Sequence, residues 1–239
     1  FSSVEEAEGL DQLHIAPFDS LDAAERLPCP DCKVMRKYYC CNCVKFVGVN
    51  QAPVVDLPFN CSIVFCRKES RKKSSIIPIP LIAPKVDVIP AFAENVPTFP
   101  PDYYLCFPGP EARTVEELSD SELLSLSHIV FIDSTWRQTR QMLNSSLSEL
   151  PQLKLATHRT IFWRTQKESE FYLATVEAIY YFFADFLKEK HRRGLGPSYT
   201  GELDNLLWFY MHNYKTVQVK KQERAKAWQA RLEAAAQSG

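Results

Sequence analysis

With 239 residues, 46% of them hydrophobic and 12% aromatic, the chain is long enough to bury one substantial core with a small appendage. A formal net charge of −1 excludes a uniformly basic nucleic-acid binder, so any RNA contact has to come from local patches. No apolar run approaches the ~18 residues of a membrane span. The start, Phe1-Ser2-Ser3-Val4-Glu5-Glu6, lacks Met and the basic and apolar regions of a signal peptide. Eight cysteines without a secretory signal point to metal or thiol roles in a reducing compartment rather than to disulfides.

Residues 1–27 are acidic and loosely patterned, with Ser20 placed to cap a short helix over 20–27. Residues 28–50 carry Cys29-Pro30-Asp31-Cys32 and Cys40-Cys41-Asn42-Cys43, two C-x-x-C pairs seven residues apart. Zinc takes four thiolates tetrahedrally, and a two-residue spacer lets a tight turn aim both sulfurs at one ion. A closed structural zinc site on Cys29, Cys32, Cys40 and Cys43 is expected, with Cys41 as a competing ligand. Four reduced thiols, or a redox pair, are the plainer alternative. Between the knuckles, Lys33, Arg36, Lys37, Tyr38 and Tyr39 combine charge with stacking surface, suited to RNA or to a solvated face.

Residues 51–215 read as the main domain. A strand is expected over 61–66. Arg67-Lys68-Glu69-Ser70-Arg71-Lys72-Lys73 is the densest basic stretch, either a solvated face or a phosphate contact through Arg71, Lys72 and Lys73. Ile77-Pro78-Ile79-Pro80 argues against a regular helix, because proline removes amide donors and clashes with the preceding turn. A strand over 86–89, a proline-rich loop over 90–101 and a strand over 103–107 follow. The last ends in Pro108-Gly109-Pro110, a stiff turn that permits close backbone approach. A helix is expected near 114–127.

His128-Ile129-Val130-Phe131-Ile132 is too short for a helix and rich in β-branched residues, so it reads as a buried strand. Asp133-Ser134-Thr135-Trp136 follows at once, and apolar positions then recur at helical spacing through Leu143. Ser134 or Thr135 can cap this helix, which is expected to end near 150–151. Asp133 therefore stands at the carboxyl end of a strand, where open α/β sheets place ligands. Taken alone, these are equally well turn, cap and core residues.

A strand over 153–157 leads to His158-Arg159-Thr160-Ile161-Phe162-Trp163-Arg164, whose Arg159 and Arg164 flank aromatics and suit stacked bases or phosphates, or else a half-buried loop. A helix over 171–190 is apolar nearly all round, with Thr175 and Glu177 the polar exceptions. Such a carboxylate needs a partner, and a ligand's ammonium group is one candidate. A last helix begins near 203 and runs into a charged, Ala-rich tail over 216–239. Alternating strands and helices give an α/β class with a mainly parallel sheet.

Asp133-Ser134-Thr135-Trp136 resembles the signature of the DTW-domain family, the tRNA-uridine aminocarboxypropyltransferases. The cysteine cluster, Phe107-Pro108-Gly109-Pro110 and Thr175-Val176-Glu177-Ala178-Ile179 resemble that family in the same order, over roughly residues 29–210. Phe162-Trp163-Arg164 and Glu177-Ala178-Ile179-Tyr180-Tyr181-Phe182 are most similar to its animal branch. The prolines at 78 and 80 depart from the family, whose members often carry a helix there.

The resemblance implies a SPOUT-like fold: a knotted, mainly parallel sheet with helices on both faces. It implies transfer of the 3-amino-3-carboxypropyl group of S-adenosylmethionine to N3 of a uridine in the D-loop of tRNA, with 5′-methylthioadenosine released. Phe107, Pro108, Gly109, Ser134, Thr135, Trp136, Thr175 and Glu177 would form the S-adenosylmethionine site. Asp133 would be the general base, since the neutral uracil imide holds its N3 proton. Expected partners are tRNA and S-adenosylmethionine, with structural zinc, no membrane, a nuclear or also cytosolic address, and an oligomeric state that the sequence leaves open, a monomer being favoured. Two other readings stay open: a SPOUT-type RNA methyltransferase, and a non-catalytic zinc-knuckle RNA adaptor.

Overall fold

The computed structural model describes residues 12–143, 146–160 and 172–237, the side chains of 230–237 excepted. Its centre is a five-stranded sheet in the order β6-β5-β8-β7-β9, formed by β5 (Asn60–Cys66), β6 (Val86–Ala91), β7 (Tyr104–Cys106), β8 (His128–Asp133) and β9 (Gln152–Leu153). Every pairing in it is parallel. All carboxyl ends therefore share one edge, and Asp133 closes the central strand on that edge.

Alternation along the strands supplies two faces. Cys61, Ile63, Phe65, Ile129 and Phe131 share a core with Val176, Ile179, Phe182, Phe183 and Phe186 of α4 (Thr175–Arg192). Phe59 meets Phe183 and Phe186 with ring centroids 5.0 Å apart in each pair, and Phe131 meets Phe182 edge-on at 5.8 Å. Each such buried aromatic contributes about 1.5–3 kcal/mol, which holds α4 against this face of the sheet. Val64, Cys66, Leu105 and Val130 point the other way, onto Met142 of α3 (Trp136–Met142) and onto Leu147 and Leu150. Helices thus cover both faces, as the class requires.

Several boundaries differ from the sequence reading. The helix α1 covers only Asp19–Asp22, and Ser20 Oγ instead accepts from the amides of Asn50 and Gln51, both at 3.1 Å. β6 continues through Pro90 into the expected loop; it is an edge strand, where a missing amide costs the ladder little. The helix expected over 114–127 breaks at Leu118 into a 3-10 turn, Val115–Glu117, and α2 (Asp120–Ser125), each opened by its own capping box, Thr114 with Glu117 and Ser119 with Glu122. The strand expected over 153–157 is only Gln152–Leu153, and a 3-10 turn, Ile79–Leu81, stands where prolines forbid a helix.

Ahead of the sheet lie two hairpins, β1 (Leu27–Pro28) with β2 (Met35–Arg36), and β3 (Tyr38–Cys40) with β4 (Lys45–Val47). Aromatic contacts join the second hairpin to α5 (Trp208–Gln237): Tyr39 meets Phe209 at 5.3 Å and Tyr38 meets His212 at 5.1 Å. No described helix is long and apolar enough to cross a membrane.

Candidate active site

A cavity of about 400 Å³ opens at the carboxyl ends of β7 and β8, within the ~300–1,000 Å³ typical of small-molecule sites. Phe107 and Pro108 following β7, Ile132 and Ser134 around the end of β8, and Trp136 and Thr139 of α3 form one part of its wall. Lys154, Thr157 and His158, with Thr175 and Ala178 in the first turn of α4, form another. Trp136 is 47% exposed, unusual for so large an apolar side chain, and its ring lies 5.3 Å from that of Tyr172, also in the wall. An exposed indole and a half-buried phenol ring in one cavity wall offer faces for a flat heterocycle.

The sequence places the start of α3 here by simple means. Thr135 is its N-cap: Thr139 donates its amide to Thr135 O at 2.8 Å, and Gln138 Oε1 accepts the Thr135 amide at 3.1 Å. Ser134, the alternative cap, has its hydroxyl 2.6 Å from that of Thr139. Capping turns Trp136 outward at the first helical position.

Asp133 lies between two cavity-lining residues but is not itself among the described lining residues. Its Oδ2 accepts from Ser74 Oγ at 2.6 Å and its Oδ1 from Thr175 Oγ1 at 2.5 Å. The carboxylate therefore joins three segments: the loop after β5, the end of β8 and the first residue of α4. Burial raises its pKa above the ordinary value, while the Ser74 and Thr175 hydroxyls pull the other way. Glu177 is 1% exposed, and its Oε2 accepts from the Ala174 amide at 2.6 Å and Thr160 Oγ1 at 2.7 Å, which anchors the start of α4. Glu177, Thr135 and Gly109 lie outside the described cavity wall; the nearest atom to a Cβ built at Gly109 would be the flexible Gln152 carboxamide.

One pair, of which His158 stands in the wall, escaped the sequence reading. His158 Nε2 lies 2.7 Å from Asp185 Oδ2 of α4, and the imidazole stacks on Tyr181 at 4.0 Å with 6° between the planes. Lys154 supplies a cation to the same wall.

The four knuckle cysteines converge. The Sγ atoms of Cys29, Cys32, Cys40 and Cys43 all lie within 4.8 Å of one another, and Cys32 and Cys40 are 3.6 Å apart. Tetrahedral zinc with Zn–S bonds of ~2.3 Å needs sulfurs about 3.8 Å apart, so the donor set and spacing fit that metal. Both hairpin turns are shaped alike. Lys33 and Val44, each directly after the second cysteine of its pair, take left-handed φ values of 59° and 51°. Each donates its amide to the first cysteine's carbonyl, at 3.0 Å to Cys29 and 2.8 Å to Cys40. Burial opposes ionisation of the Cys40 thiol, but the amides of Cys43 and Asn42 and the Arg36 guanidinium outweigh it and bring it down to about 6. Cys41 stands apart from this group, in the main core.

A DTW domain is matched over residues 26–218, from the first hairpin to the early part of α5. The chain belongs to the DTW-domain family. Curated relatives named tRNA-uridine aminocarboxypropyltransferase 1 are 30% identical to it. The protein of Mus musculus aligns over 90% of this chain and 86% of its own length, that of Xenopus laevis over 91% and 90%, and that of Homo sapiens over 92% and 87%. No solved structure matches the chain.

The candidate RNA residues of this DTW-domain chain differ in their surroundings. Arg71 is half-buried, donates from Nε to Cys41 O at 2.7 Å and lies over the Phe65 ring at 5.7 Å, so it fastens the cysteine segment to the sheet. Lys72, Lys73 and Arg159 are exposed. Arg164 lies outside the described residues.

Proposed function

We propose that this DTW-domain protein is a tRNA-uridine aminocarboxypropyltransferase, which moves the 3-amino-3-carboxypropyl group of S-adenosylmethionine to N3 of a D-loop uridine and releases 5′-methylthioadenosine. The match over 26–218, together with relatives of that name covering nearly their whole length, carries the reading. The cavity supports it: its volume suits a nucleoside-sized ligand, and its position follows the rule for parallel sheets.

In this reading Trp136 and Tyr172 take the adenine, and Phe107 and Pro108 cover the ribose and methyl side. Thr175 meets the amino acid end, and Lys154 is the partner for its carboxylate. The sulfonium of the co-substrate polarises each adjoining carbon, so the outcome depends on which carbon faces the uridine. A wall that buries the methyl group and leaves the aminocarboxypropyl chain open selects that transfer. Asp133, with both oxygens engaged by hydroxyls, serves as the strut that holds Thr175 and the 74 loop in register. Glu177 fixes the same helix from beneath. An acceptor N3 is blocked by Watson–Crick pairing, so the uridine enters unpaired or flipped.

Zinc on Cys29, Cys32, Cys40 and Cys43 is structural in this proposal, since four protein ligands close the coordination sphere. A SPOUT-like knot in the sheet, a monomeric state and a nuclear home with a cytosolic share belong to the same proposal. Support comes from the family for the knot and from basic stretches such as 67–73 for the address. Mass spectrometry of tRNA from cells lacking the protein tests the function. Loss of the aminocarboxypropyl-uridine signal is expected, and unchanged modification would overturn the assignment.

A further inference from the structure

We infer that His158, held by Asp185, is the base that takes the N3 proton of the acceptor uridine, an inference resting on the transferase reading above. The imidazole is fixed in two independent ways. Its edge is tied through Nε2 to Asp185 Oδ2 at 2.7 Å, and its face lies flat on Tyr181 at 4.0 Å. A carboxylate on Nε2 sets the tautomer that carries its proton there and leaves the lone pair on Nδ1. Among the described residues Nδ1 has no hydrogen-bond partner, and His158 belongs to the cavity wall.

The pair is not a solvated surface bridge: the His158 and Asp185 side chains are only 20% and 14% exposed. Asp185 follows the aromatic run Tyr180–Phe183 of α4 and is largely buried, where an unpaired carboxylate would be costly. Among the described residues, charged and titratable groups come to the imidazole from two elements, and Arg159 adjoins it in the chain. Asp185 and Tyr181 face it from α4, Lys154 shares its strand-end segment in the wall, and Glu177 lies one helical turn before Tyr181. Burial, then the charges of Glu177 and Asp185, push the Tyr181 phenol up to about 12, so it stays neutral beneath the ring.

The step balances. The N3 proton passes to His158 Nδ1, and the N3 electron pair forms the C–N bond to the carbon beside sulfur in the aminocarboxypropyl chain. The C–S bond breaks with both electrons going to sulfur, which cancels the sulfonium charge and frees a neutral thioether. Asp185 stabilises the imidazolium until its proton is lost to solvent, the role a carboxylate plays behind a histidine base. In this scheme Asp133 keeps its place as the strut, its oxygens accepting from the Ser74 and Thr175 hydroxyls.

Position and catalysis are separable by substitution. In His158→Gln the carboxamide can still donate to Asp185, so the tie from the 158 segment to α4 is kept while the base is lost. With the zinc-loaded full chain, this variant is expected to lose about 10²–10⁴ in kcat. Its melting temperature, its KM for tRNA and its S-adenosylmethionine affinity by calorimetry should stay close to those of the parent. Asp185→Asn should also lower kcat with S-adenosylmethionine affinity close to the parent's, because the imidazolium formed in the reaction loses its negative partner.

Full-rate turnover by His158→Gln would overturn the assignment while leaving the transferase reading intact. A rate loss matched by an equal loss of S-adenosylmethionine affinity would make His158 a binding wall and overturn it as well. If the parent chain moves no aminocarboxypropyl group at all, both readings fall together.

Discussion

Asp133→Ala and Asp133→Asn separate the strut from a base at the same position. Alanine removes both hydroxyl contacts, from Ser74 at 2.6 Å and Thr175 at 2.5 Å. Hydrogen bonds to a charged group contribute about 1.5–3 kcal/mol each, and about 1–3 kcal/mol returns because no charge is desolvated, so the middle of these ranges leaves a net loss of about 2–3 kcal/mol. With a urea m-value of about 2 kcal/mol/M, the unfolding midpoint should fall by about 1 M. Asparagine keeps one acceptor and one donor, to which the two hydroxyls can turn, so its cost should stay below about 1 kcal/mol.

The pH dependence has a definite sign. A carboxyl whose folded-state pKa is raised by burial binds its proton more tightly in the folded chain. Its contribution is full below the ordinary value of 3.8 and is lost as pH rises through the folded value. Asparagine cannot titrate, so the cost of Asp133→Asn should shrink as pH rises above 3.8 toward the parent's raised folded value, measured at constant ionic strength. S-adenosylmethionine should bind about tenfold more weakly to Asp133→Ala, the equivalent of ~1.4 kcal/mol, because Thr175 loses its anchor in the cavity wall. An alanine variant as stable as the parent would refute the strut. So would an asparagine variant whose kcat falls a hundredfold with binding unchanged, since that is the behaviour of a general base.

Protein purified under reducing conditions should carry about one zinc per chain, and chelation should loosen the hairpins and lower tRNA affinity; metal analysis finding none would refute the site. Lys33→Gly relieves a left-handed φ of 59° at an exposed position and should stabilise the zinc-loaded chain by about 1 kcal/mol, measured by urea unfolding. Trp136→Ala should weaken S-adenosylmethionine binding about 10- to 100-fold by calorimetry, as loss of a stacking face requires; equal affinity would remove adenine from that slot. Reversing Lys72 and Lys73 to Glu should weaken all tRNAs alike and flatten the salt dependence of binding. Arg71 is left in place in that test, because its bond to Cys41 O makes any substitution structural as well.

What was legible in the sequence was local. The strand–turn–helix around Asp133 and the paired C-x-x-C turns each complete their geometry within a few residues, so spacing alone exposes them. The parts that were hidden join distant positions. Asp133 meets Ser74 across 59 residues, and His158 meets Asp185 across 27. Asp185 was also masked by its surroundings, a carboxylate directly after an aromatic run in a helix whose apolar positions dominate the pattern. Pro90 misled because a proline reads as loop until the strand carrying it proves to be an edge. Glu177 was legible as a buried carboxylate in need of partners, but that its partners include the Ala174 amide and Thr160 follows only from the tertiary path.

The most direct measurement follows two labels from one co-substrate. S-adenosylmethionine labelled separately in its methyl and aminopropyl carbons is incubated with the zinc-loaded chain and unmodified tRNA, and both labels are traced by mass spectrometry. The aminopropyl label is expected on N3 of a D-loop uridine, and the methyl label in released 5′-methylthioadenosine. Methyl label in the tRNA would make the chain a methyltransferase, and tRNA that binds but acquires neither label would make it an adaptor; either result contradicts the transferase assignment.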